Sequence, residues 1–202
     1  DKWLVLPPAV APIHVVIIPF FKTHEDLTAI SDYISDLQDQ VASTEFKIQL
    51  PTKLFKREII TKFDTDEGKS PGRKFNEYEL QGVPVRLTIG KKEMEQGLIE
   101  LYRRDTWHKE LIKIQDAPAL VEQTLYDIQH NLLAKNKIMR SDNTVFVDNY
   151  TDFQQALDDG KFVFAHRDGT VETEALIKEE CKAVTRCIPL IGQEYDNSDL
   201  IF

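Results

Sequence analysis

The chain has 202 residues, 42% of them hydrophobic and 29% charged, a balance that fits a soluble globular protein of one large domain or two small ones and excludes disorder over most of its length. Lys and Arg number 25 against 34 Asp and Glu, a net charge of −9 with a pI near 5.1. Taken as a sum, that argues against a protein that holds nucleic acid by bulk attraction.

Positions 4–12 carry Pro7, Pro8 and Pro12 among apolar residues, which predicts an extended, packed connector. Val15-Val16-Ile17-Ile18, a β-branched run bounded by prolines, predicts a strand buried on both faces. Thr23 then stands three residues before Asp26, and Leu27, Ile30, Ile34, Leu37 and Val41 follow at helical spacing, so a capped amphipathic helix is expected. Alternation over positions 46–50 predicts a second strand. The opening therefore reads as a βαβ unit with its two strands parallel.

Positions 50–73 are polar and weakly patterned, with Asp66 to Gly72 a strong loop signal, and a mobile excursion is expected there. Two turns of helix over 74–80 end at Gly82, and a strand follows over 83–89. A turn or short helix over 91–96 and a strand over 98–102 come next. A long amphipathic helix is expected from about 117 to 135, using Leu120, Val121, Leu125, Ile128, Leu132 and Leu133. A second unit of about 60 residues begins near Arg140 in β-α-β-α-β order: strands at 145–147, 161–165 and 185–190, and helices at 151–157 and 170–183. It is too short to bury a generous core and should lean on the first unit. The polar tail, 192–202, should fray.

No apolar run nears the roughly 20 residues of a membrane span. The start at Asp1, without Met or a secretory pattern, reads as a piece cut from a longer polypeptide. Cys181 and Cys187 are the only cysteines and support neither a disulfide framework nor a four-ligand zinc site, which points to a reducing, cytoplasmic setting. There is no glycine-rich phosphate loop, no nucleophile elbow and no pair of histidines four apart. The five histidines are scattered, and His14 and His166 read as structural residues. The paired acids Glu172/Glu174 and Glu179/Glu180 read as solvated helix faces.

The informative stretch runs from Ser70 to Gly90 and ends, a dozen residues on, in Tyr102-Arg103-Arg104-Asp105-Thr106. It concentrates what a site for unstacked bases needs: an aromatic for stacking, an acid to accept from base amino groups and arginines to donate. On a helix Phe75 and Glu79 share a face, and Arg86 rises from the neighbouring strand. Glu can accept from guanine N1–H and N2–H, and Arg can donate to O6 and N7. The alternative is a surface helix and strand with Phe75 in the core. The segment 53–113 holds 14 Lys and Arg against 11 Asp and Glu, a net of +3, so the remainder carries −12. A confined basic region on an acidic body must rely on base-edge contacts for selection.

The run Lys74-Phe75-Asn76-Glu77-Tyr78-Glu79-Leu80-Gln81-Gly82-Val83-Pro84-Val85-Arg86 resembles the corresponding segment of prolyl-tRNA synthetases of the eukaryote- and archaeon-like type. Leu6-Pro7-Pro8 with Ala11 to Pro19, Arg103-Arg104-Asp105-Thr106, Ala165 to Thr170 and Arg186-Cys187-Ile188-Pro189 do so too. The resemblance extends over nearly the whole chain and implies a connector over 1–11 and an anticodon-binding domain over 12–128. That domain would be α/β, a mixed five-stranded sheet flanked by helices. A small α/β C-terminal extension over 129–202 would follow.

By position in the motif, Phe75, Glu79, Arg86 and Lys92 fall where the family contacts the anticodon, and the target would be the two guanines shared by proline anticodons. The resemblance implies a parent enzyme that joins proline to tRNA through a prolyl-adenylate, with ATP and Mg used by a catalytic domain that would precede Asp1. The segment alone should not activate proline. Its partner would be the anticodon loop of proline tRNA; the parent would be a homodimer, mostly through the catalytic domain, and the fragment could be monomeric. Many relatives bind a structural zinc, and Cys187 resembles the first of its cysteines; no cysteine follows it, so no zinc is predicted. The family often ends in a Tyr whose carboxylate reaches the active site, whereas this chain ends in Phe202. The competing readings are a free-standing nucleic-acid-binding or interaction module on the same fold, and a small α/β enzyme with its site at a strand's carboxyl end.

Overall fold

The structure, a computed structural model, describes residues 4–49 and 54–187. It divides into two compact units, 1–134 and 135–202.

In the first unit, strand β1 (Val15–Phe20) is the buried run that the sequence predicts. Helix α1 (His24–Ala42) starts at Thr23, whose hydroxyl accepts from the Asp26 N–H while Asp26 returns the bond to the Thr23 N–H, the reciprocal box that satisfies two orphan donors. Its predicted stripe, Leu27 to Val41, is the face it buries. Strand β2 (Glu45–Gln49) forms, but it pairs antiparallel with β3 (Leu54–Glu58) in a hairpin of its own. The parallel crossover from β1 closes two strands later than expected, on β4 (Thr61–Phe63). The expected excursion over 50–73 thus contains two strands that the pattern hides, because neither presents a continuous buried run. Residues 50–53 lie outside the described residues.

Helix α2 (Pro71–Leu80) begins with Pro at its first position and stops before Gly82, at φ +76°, a conformation that only Gly adopts cheaply. Strand β5 (Val85–Gly90) is buried throughout, short helix α3 (Lys91–Glu95) follows, and strands β6 (Leu98–Arg103) and β7 (Lys109–Lys113) complete the sheet. Only Ile112 of β7 is buried, which left that edge strand without a sequence signal. The mixed five-stranded sheet has the order β4-β1-β5-β6-β7, parallel across its first three strands and antiparallel across the last two.

Strand alternation gives the sheet two unlike faces. Val15, Ile17, Val85, Leu87, Ile89, Ile99 and Leu101 join the core formed with the stripe of α1 and with Val121, Leu125 and Ile128 of helix α4 (Ala117–Asp142). Helix α4 is longer than expected, and Leu120 and Leu133 stay exposed. The opposite face carries a small apolar cluster, Val16, Ile18, Tyr78 and Val83, together with Arg86 and Thr88 of β5. Nor is the connector extended throughout: Val10 and Ala11 both donate to the Pro7 carbonyl in a turn. His14 is fully buried, accepting from the Ile60 N–H at Nδ1 (2.8 Å) and meeting the Pro8 carbonyl through Nε2 (3.1 Å).

In the second unit, β8 (Thr144–Phe146) and β9 (Phe162–Phe164) pair in parallel, and α5 (Tyr150–Asp158) and α6 (Val171–Cys181) pack over a core of Val147, Phe153, Ala156 and Ile177. Caps at Asn149 and Thr170 start both helices. Residues 185–187 form no strand, and the rest of the expected strand, with the tail, lies outside the described residues.

Candidate nucleic-acid interface

The polar face of the sheet is where α2 lies, and α2 is fixed there by a buried charge. Lys74, 1% exposed, reaches the Asp64 carboxylate at 3.1 Å and the Asp64 carbonyl at 3.0 Å. Burial, then the Asp64 carboxylate, pushes the Tyr78 phenol up, so it stays neutral. With Lys74 and Tyr78 facing inward, the helix repeat brings Phe75 and Glu79 to the side that overlooks β5.

Arg86 comes up from β5 to meet them. Its guanidinium carbon lies 3.7 Å from the Phe75 ring centre and 4.2 Å from that of Tyr102, its cross-strand partner on β6. It donates through Nη1 to Glu79 Oε1 at 3.3 Å. Burial lowers its proton affinity, and the Glu79 carboxylate is the first group to oppose that. A cation held between two rings and against a carboxylate is well compensated for its desolvation. Phe75, Glu79, Arg86 and Arg104 line one narrow cleft.

Three of the four residues singled out from the sequence are therefore brought together, and Phe75 both flanks the cleft and rests against the small apolar cluster. Lys92 is not in the cleft. It sits on α3, exposed, beyond the end of β5.

The sequence pattern alone gives Tyr102 and Arg104 no individual role in the site. The signal was available in the period-two alternation of Glu100, Tyr102 and Arg104, which continues the polar face. The neighbouring charges serve the scaffold: Arg103 grips Asp105 through two bonds (3.1 and 2.9 Å), and Asn131 of α4 donates to the same carboxylate at 2.6 Å. Among the described residues no three His, Cys, Asp or Glu side chains are grouped to hold a metal ion. Cys181 and Cys187, the only thiols, fall short of a four-ligand zinc set. No helix among the described residues is long and apolar enough to cross a membrane.

Residues 14–124 match the anticodon binding domain family, and residues 150–199 match the family described as prolyl-tRNA synthetase, C-terminal. The proline–tRNA ligase of Azobacteroides pseudotrichonymphae is 40% identical over 201 residues, covering 100% of this chain and 38% of that protein. That of Parabacteroides distasonis is 43% identical, with 96% and 37% covered. A crystal structure of prolyl-tRNA synthetase from Cryptosporidium parvum complexed with L-proline and AMP superposes with a TM-score of 0.76 at 27% identity, over 98% of this chain and 40% of that one. The chain thus spans less than two-fifths of the length of these curated relatives. Family matches and fold agree: the chain belongs to the anticodon-binding domain family, in the form found in prolyl-tRNA synthetases.

Proposed function

We propose that the chain recognises the anticodon loop of proline tRNA on behalf of a proline–tRNA ligase whose catalytic domain, using ATP and Mg, lies outside these 202 residues. The observation that carries this reading is the Glu79–Arg86 pair beside Phe75. In the free protein the two charges face each other through Arg86 Nη1, while Arg86 Nε has no partner among the described residues. A guanine exchanges partners with both: Glu79 turns to accept from N1–H and N2–H, and Arg86 donates to O6 or N7, while Phe75 offers a face to the base. Neither charge is left unpaired in the exchange. Adenine presents an acceptor at N1 and a donor at N6, the reverse pattern, so it would leave a largely buried carboxylate and guanidinium unsatisfied, which is the strongest basis for rejection.

Lys92, exposed and outside the cleft, takes a phosphate in this reading and contributes attraction without sequence preference. The zinc of many relatives has no role here, since the two thiols cannot complete a site; the setting is wherever tRNA is charged, the cytoplasm.

Binding of the full chain to a proline anticodon stem-loop, and to the same loop with its two guanines replaced by adenines, tests this. The expected preference for guanine falls by about 1–3 kcal/mol in Glu79→Gln. Lys92→Ala should keep the preference and reduce the salt slope by about 0.7. Equal affinity of the unaltered chain for both loops would overturn the reading.

A further inference from the structure

The hairpin between β6 and β7 closes on a residue that its own backbone disfavours. The Arg103 N–H bonds to the His108 carbonyl at 2.8 Å, and the loop between them ends at Trp107, with φ +63°. That left-handed conformation is cheap for Gly and strained for a bulky side chain. The other non-glycine residue in this region among those described, Lys182, closes a helix, where the conformation is common. Strain of this kind is kept where packing or function demands it. Packing does not demand it here, since Trp107 is 54% exposed. Its neighbours Thr106 and His108 are exposed and polar, so the ring stands alone and not in an apolar patch of the kind a protein partner buries. What lies against it is a cation: the Arg104 guanidinium carbon is 5.6 Å from the ring centre. Arg104 lines the cleft with Phe75, Glu79 and Arg86, and Arg86 is itself held between Phe75 and Tyr102. Rings and guanidinium groups therefore alternate along this side of the sheet, and Trp107 is the exposed ring among them.

Resting on the anticodon reading above, we infer that Trp107 is a stacking platform for the remaining anticodon base, the one beside the guanine pair that proline anticodons do not share. Every base has a π-face, so an indole holds whichever base stands there and reads none of its edges. The platform fixes the loop over the cleft without narrowing the set of proline tRNAs that the chain accepts. The backbone strain at Trp107 is then the cost of presenting a ring at a turn that Gly would close more cheaply.

The test uses the full chain with Trp3→Phe, which leaves Trp107 as the only indole, and follows its emission on titration with the proline anticodon stem-loop. Stacking should quench it. An abasic nucleotide at the remaining anticodon position should abolish the quench and weaken binding about ten-fold, while any of the four bases there should support both. Trp107→Gly suits the backbone better and should melt no lower than the unaltered chain, yet bind about ten-fold more weakly with its guanine-over-adenine preference intact. Trp107→Phe keeps a ring and should recover most of the affinity. Full affinity in Trp107→Gly would overturn the inference. So would an indole that the stem-loop leaves unquenched, or a quench that survives the abasic nucleotide, and neither result depends on a variant at position 107 folding. Emission that changes with protein concentration in the absence of RNA would also overturn it and assign the ring to a contact between copies. A chain that prefers guanine over adenine yet gives any of these results keeps its proposed function and loses only this residue's role. One that shows no guanine preference loses both.

Discussion

The two units of the chain handle their difficult side chains in opposite ways. The first packs nineteen buried apolar residues into one cluster and, on the other side of its sheet, seals in Lys74, Arg86 and Arg104. Among its described residues the second has four buried apolar side chains and leaves Phe146, Phe162 and Phe164 largely exposed, with the rings of Phe146 and Phe164 stacked 4.9 Å apart. A large core can hold a charge at a fixed place in low dielectric, where it discriminates; the described part of the small one leaves even its own aromatics uncovered. The proposed recognition chemistry is placed in the first unit for that reason.

Breaking the buried pair is the severest test of this contrast. Asp64→Ala strands the Lys74 ammonium and should cost the first unit about 3–5 kcal/mol in urea unfolding. Trp107 belongs to that unit, so with Trp3→Phe as the common background tryptophan fluorescence follows it alone. A loss below 1 kcal/mol would mean that the buried charges are incidental to its fold.

Acidification should have a somewhat smaller effect. Burial first, and then Arg57, push His14 down to about 4. The unfolded imidazole therefore takes up a proton near pH 6.5 that the folded one refuses until about pH 4. The neutral ring's contribution is complete above pH 6.5 and declines toward pH 4, by at most about 3 kcal/mol. His14→Gln should remove that part of the decline, seen by the same fluorescence at pH 7.5 and 4.5. The smallest effect is expected in the second unit: Phe146→Ser, at a side chain 70% exposed, should cost less than about 1 kcal/mol in a thermal melt followed by helical circular dichroism. A larger loss would show that the ring belongs to a core after all.

What could be read in the sequence followed the strength of each local pattern. The stripe of α1 and the apolar run of β1 each pointed one way, and both formed as expected. Strands β3, β4 and β7 were missed because they are short or lie at an edge, with little buried side chain to mark them; their place is decided by partners far along the chain. The parallel partner of β1 was misjudged for the same reason, since nothing local to β2 says that it will fold back on β3. In the site, Phe75, Glu79 and Arg86 were legible because one helix spacing and one adjacent strand relate them. Arg104 was not, because a buried arginine and a surface arginine are the same letter until the fold encloses one of them.

The turn at Gly82 has a consequence for how such a sequence can drift. Any side chain there would meet Leu6 at 2.7 Å and Leu4 at 3.1 Å, and the Leu6 N–H donates to the Gly82 carbonyl at 3.1 Å. The Leu4 carbonyl is in turn the acceptor that holds Arg104. A change at position 82 would therefore propagate through the opening segment to the floor of the cleft, and the two stretches can diverge over generations only in concert, although 76 positions separate Leu6 from Gly82.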